Sequence, residues 1–116
     1  MDTRGLSIQE YIDFRQRYII VHSYIYYELD NNIISDREYD AKAKELVALK
    51  DLYPDEWRNS EYYKQFGDDY NGSTGFTFYY DLTDHQRMII ESIALGALKL
   101  QKHIHNHIQK KETEKL

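Results

Sequence analysis

The stretch YYELDNNIISDREYD, residues 26–40, decides the fold, because one amphipathic segment ends in it and another begins. Upstream, Tyr11, Phe14, Tyr18, Val21, Ile25 and Leu29 recur at spacings of three and four, which predicts a helix over residues 7–29. Ile12, Ile19, Ile20 and Tyr26 widen that apolar face, so the helix is expected to pack against more than one neighbour. Asp30, Asn31 and Asn32 then favour a turn, since their short polar side chains satisfy nearby backbone groups. Ser35 stands three residues before Glu38, the spacing of a capping box, and predicts a second helix over 35–52 with Tyr39, Ala43, Leu46 and Leu49 facing inward. Pro54 stops it, having no N–H to continue the helix. The two helices should form an antiparallel hairpin.

Beyond the hairpin the signals are sparser. NSEYYKQF suggests a short helix over 60–66, and GDDYNGSTGFTFYYD, with three of the five glycines, reads as a Gly/Tyr-rich loop with a brief extended segment at FTFYY. Thr83 and Gln86 form a second capping-box pair, and Ile90, Ile93, Ala97, Leu100, Ile104 and Ile108 continue as a stripe, predicting a long helix over 83–111. Residues 113–116 carry little apolar surface and are expected to fray. The expected fold is all-α, a single helical domain over residues 1–112.

The composition bounds the chemistry. With 116 residues, 41% hydrophobic, the chain has material for one modest core. It has no cysteine, which excludes disulfides and thiolate metal sites and suits a reducing cytoplasm. MDTRGLSIQE lacks the apolar core of a secretory signal, and no apolar run approaches the ~20 residues of a spanning helix, so a soluble, cytoplasmic protein is expected. The formal net charge of −5 argues against direct nucleic-acid binding, which needs a basic surface. Tyrosine is the outlier, at 12 residues, and suggests semi-exposed packing or a binding surface.

The order of paired aromatics, LDN, IISDREYD and then the charged amphipathic run AKAKELVALKDLYPD resembles the N-terminal Ia domain of the NAD-dependent bacterial DNA ligases. The resemblance is strongest over Tyr24 to Pro54. It implies a helical hairpin that grips the nicotinamide mononucleotide (NMN) half of NAD, with Tyr26, Tyr27, Asp36, Tyr39 and Asp40 at the family's recognition positions. Adenylation in those ligases needs a Lys-x-Asp-Gly motif, and none occurs here, so a non-catalytic protein is expected. The long last helix falls where a ligase chain runs on toward its adenylation domain.

Residue chemistry points the same way. A nicotinamide ring is a flat cation that prefers an aromatic face, and carboxylates offset its charge or accept hydrogen bonds from ribose hydroxyls. Asp36, Tyr39 and Asp40, three and four apart, present from neighbouring faces of one helix start. Each also has a structural reason to be there: Asp36 and Glu38 suit the positive end of the helix dipole, and Tyr39 continues an apolar stripe.

Other clusters read as structural. His103 and His107 share a helix face, but no carboxylate completes a metal site, so no metal is expected. His85 near Asp81 and Asp84 has no nucleophile with it. Tyr70, Phe76, Phe78, Tyr79 and Tyr80 form a candidate recognition patch. The expected function is binding of a nicotinamide nucleotide or NAD-derived ligand, suited to an anti-defence factor of a phage or mobile element in a host bacterial cytoplasm. The alternative is an inhibitor that binds a bacterial protein, either by competing with the host ligase or by mimicking nucleic acid on a nuclease such as a CRISPR effector. A third role, homodimerisation, would use Ile89, Leu95 and Leu98.

Overall fold

The computed structural model describes the backbone of residues 2–73 and 77–114, with side chains up to residue 107. Its elements are α1 (Ile8–Tyr27), α2 (Asp36–Leu52), α3 (Pro54–Arg58), α4 (Tyr63–Phe66), a 3-10 turn (Phe78–Asp81) and α5 (Asp84–Glu114). Among the described residues there is no strand, and the fold is all-α. No helix among them is long and apolar enough to cross a membrane.

α1 starts in a full capping box: the Glu10 N–H donates to Ser7 Oγ (3.1 Å) and the Ser7 N–H to Glu10 Oε1 (3.0 Å). It stops where Asp30 adopts a left-handed φ of 49° and the Asn31 N–H folds back to the Ile25 carbonyl (3.1 Å). At α2 the expected box is half formed. The Glu38 N–H donates to Ser35 Oγ (3.1 Å), while the Glu38 carboxylate is drawn to the Tyr18 hydroxyl (3.2 Å) on α1. The Thr83–Gln86 pair is reciprocal, at 3.1 and 3.0 Å.

Side-chain pairs fix the direction of the hairpin. Tyr11 and Arg15 meet Glu45, whereas Tyr18 meets Glu38 and Ser23 meets Tyr39, so α1 and α2 run in opposite senses. Ile12, Ile19 and Ile20 are fully buried and join Tyr11, Val21 and Ile25 of the main stripe in the core, because α1 is covered by α2, α3 and α5 together, whereas Phe14 and Tyr26 are 36% and 53% exposed. Ala43, Leu46 and Leu49 of α2, Trp57 of α3 and Ile90 and Ala94 of α5 complete one apolar cluster.

Several expectations are corrected. Pro54 ends α2 but also opens α3 as its first residue, where a missing N–H costs nothing. The segment read as extended at FTFYY is a 3-10 turn from Phe78, and Phe76 lies outside the described residues. Tyr70 and Phe78 do not form a surface patch, being 7% and 5% exposed in an aromatic cluster with Trp57 and Phe66. Tyr79 stacks on Tyr24 (4.9 Å between ring centres) and Tyr80 donates to Glu28 (2.7 Å), which ties the 3-10 turn to the end of α1.

On α5 the buried side is Ile90 and Ala94, with Leu98 half-buried, and Ile93, Leu100 and Ile104 are exposed. A 31-residue helix is about 46 Å long and outruns the body it packs on. It carries on to Glu114 because neither Gly nor Pro interrupts its last turns. The side chain of Ile108 lies outside the described residues.

Candidate functional site

The bend between α1 and α2 opens into a cavity of about 430 Å³, inside the usual size range of small-molecule sites. Tyr26, Tyr27, Asp36, Tyr39 and Asp40 all line it. Three pieces of local chemistry bring them together. The last turn of α1 carries Tyr26 and Tyr27, whose rings meet edge to face with centres 4.9 Å apart. The left-handed Asp30 turns the chain, and the Ser35 cap then sets Asp36 as the first residue of α2. Asp40 follows one turn on, so both carboxylates face the same opening.

Tyr26, Tyr27, Asp36 and Asp40 are exposed, and Tyr39 is half-buried as the cavity's inner wall. Its hydroxyl shares a hydrogen bond with Ser23 Oγ (2.8 Å), which locks the ring. Burial raises the Tyr39 pKa, Ser23 partly offsets this, and nearby Tyr27 and Asp40 add to it, so Tyr39 stays a neutral phenol at physiological pH. His22 packs against Tyr18 (4.4 Å between ring centres), and its pKa is lowered by burial against a smaller opposing pull from Glu38. Among the described residues no Lys or Arg lines the cavity, and its wall sets two aspartates beside aromatic rings. Such a wall attracts a cationic ring and accepts hydrogen bonds from hydroxyls.

The His22 shift has a stability consequence. A histidine with a depressed pKa in the folded state binds fewer protons folded than unfolded, so stability falls as pH drops below the unfolded value of about 6.5. Urea melts at pH 7.5 and 5.5 should therefore show a smaller loss for His22→Gln than for the unaltered chain; equal losses would contradict this.

Sequence reasoning missed His22, Ser23, Asn32, Gly72 and Ser73, all of which line the cavity. His22 and Ser23 stand one helical turn before Tyr26 and Tyr27, so helix periodicity contained that signal. Gly72 and Ser73 come from the loop after α4 by a long-range approach that no local spacing encodes. Among the described residues no group of three or more His, Asp or Glu is placed to hold a metal ion.

The sequence model of the family described as "DNA ligase-like, N-terminal NAD+-binding domain" matches residues 6–63. The chain is 42% identical over 50 residues to a DNA ligase of Flavobacterium johnsoniae, covering 43% of this chain and 8% of that protein. It is 43% identical over 47 residues to a DNA ligase of Psychrobacter cryohalolentis, covering 40% and 7%. With a DNA ligase of Desulforudis audaxviator it shares 48% identity over 40 residues, covering 34% and 6%. The chain thus matches less than a tenth of the length of these curated relatives. No solved structure matches it. The matched span takes in α1, the bend and α2, which carry Tyr26, Tyr27, Asp36, Tyr39 and Asp40, and it extends over half of the chain, which therefore belongs to the DNA ligase-like N-terminal NAD+-binding domains, a ligand-binding family.

Proposed function

We propose that this chain holds a nicotinamide nucleotide without acting on it, through Tyr26, Tyr27, Asp36, Tyr39 and Asp40. The observation that carries the reading is the convergence of these five residues on one cavity that has carboxylates and aromatic faces but, among the described residues, no Lys or Arg in its lining. The nicotinamide ring lies against the tyrosines as a cation, and Asp36 and Asp40 offset its charge and accept from the ribose hydroxyls. The chain carries no Lys-x-Asp-Gly motif to form an adenylate, so binding here means holding, as a sequestering or sensing protein would do. Capture of an NAD-derived signal by a phage or mobile element is the setting that such binding would suit.

A ligand that binds the folded state alone stabilises it by mass action, by about 2.7 kcal/mol at a hundredfold excess over its Kd, and so raises the melting temperature. NMN and NAD should each raise it, and ADP-ribose, which lacks the cationic ring, should do so far less. Equal shifts with ADP-ribose, or none with NMN, would contradict the reading.

A second reading, binding to a bacterial protein, has its own observation. Ile93, Leu95, Leu100 and Ile104 are 42–60% exposed along the outer part of α5, on a chain of net charge −5. Leu100→Glu with Ile104→Glu should leave NMN binding intact and abolish any such association, which a pull-down from bacterial lysate would read.

A further inference from the structure

The family match ends at residue 63, yet the cavity has a wall from beyond it. Residues 67–73 cross α2 and bring Gly72 and Ser73 to the rim. Their placement is held at several points. Lys50 Nζ of α2 donates to the carbonyls of Asp68 (3.0 Å) and Tyr70 (2.6 Å). The Trp57 indole N–H donates to the Gly67 carbonyl (3.0 Å), and the Tyr70 ring lies between Trp57 (6.1 Å), Phe66 (4.8 Å) and Phe78 (6.3 Å). Gly72 then turns with φ of 85°, so close to α2 that an added Cβ would sit 3.7 Å from Ala43 Cβ and 3.6 Å from Val47 Cγ2. A side chain here would be strained by the φ alone, and glycine lets the backbone lie against the helix.

Tyr70 is 7% exposed, and its hydroxyl has no hydrogen-bond partner among the described residues. The loop and Tyr39 pack into the same apolar cluster. Ser73 is exposed on the rim, its N–H turned to Asn71 Oδ1 (3.0 Å).

We propose that Gly72–Ser73 is a specificity-determining wall, added to the ligase-like hairpin, in which the Ser73 hydroxyl contacts the bound nicotinamide nucleotide and the Gly72 backbone limits the cavity's width. This rests on the function proposed above. The Ser73 hydroxyl can both donate and accept, so it suits the hydroxylated ribose part of the ligand rather than the flat ring, which the tyrosines face.

The test is calorimetric titration of the full chain with NMN, for the unaltered protein, Ser73→Ala and Ser73→Trp. Ser73 is exposed and in a loop, so both variants should melt as the unaltered protein does. Loss of one hydrogen bond should weaken NMN three- to tenfold in Ser73→Ala. The bulk of Ser73→Trp, which fills the rim, should weaken it at least thirtyfold. If the unaltered protein binds NMN and both variants bind it equally well, the wall is overturned while nucleotide binding stands. If the unaltered protein does not bind NMN, the underlying function is overturned and this inference with it.

Discussion

Glu45→Ala is expected to destabilise the fold by about 3 kcal/mol, because it strands a buried charge. The Arg15 side chain is 6% exposed, and its guanidinium meets Glu45 (Nε to Oε1, 3.1 Å) and the Tyr11 hydroxyl (3.1 Å) in the middle of the α1–α2 seam. Tyr11 donates to the same carboxylate, and the rings of Tyr11, Phe14 and Tyr18 lie 5.2–5.3 Å from the guanidinium carbon. Without Glu45, cation–π contacts and one hydroxyl are left to offset the desolvation of a full charge. Glu45 itself is 28% exposed, which sets the expectation at the lower end of the range for buried pairs. For a chain of this size the melting temperature should fall by roughly 10 °C. The double variant Arg15→Met, Glu45→Leu removes both charges and should recover most of the loss. A double variant as unstable as Glu45→Ala would mean that shape and not charge governs the seam.

The largest effect on binding is expected from Asp36→Asn combined with Asp40→Asn. Both carboxylates line the cavity and both are exposed, so the change removes two charges beside the ligand with little effect on the core. A hydrogen bond to a charged group contributes about 1.5–3 kcal/mol, so the pair together should weaken NMN by roughly a hundredfold or more. Reduced NMN, whose ring is neutral, should lose less, because it never drew on the charge. Equal losses for the oxidised and reduced ligands would place the effect of the carboxylates on the ribose rather than on the ring. Retained affinity in the double variant would remove both residues from the site.

The readable parts of this sequence are those set by local chemistry. Apolar spacing along α1 and α2, the Ser35 cap and the Asp30–Asn32 turn follow from neighbours in the chain, and the aromatic and acidic residues around that bend do converge on one cavity. The rest depends on distant partners. Glu38 left its cap for Tyr18, a residue 20 positions away, because a helix–helix hydrogen bond competes with the local one. Which part of α5 is buried depends on which side meets the body and where the body ends: Ile93 stands between buried Ile90 and Ala94 yet faces outward, and Leu100 and Ile104 lie beyond them and are exposed, although the spacing of all three is regular. Tyr70 and Phe78, in a glycine-rich segment that reads as surface, are drawn inward by Trp57 and Phe66. Ser73 reaches the site for the same reason, carried by a loop whose anchors are on α2 and α3.

The central claim is that the bend between α1 and α2 is a working pocket for a cationic, ribose-bearing ring. It is tested most directly by calorimetric titration of the full chain with NMN at neutral pH, beside the Asp36→Asn, Asp40→Asn variant. Saturable one-to-one binding that is lost in the variant is the predicted result, and a flat trace from the unaltered protein would contradict it.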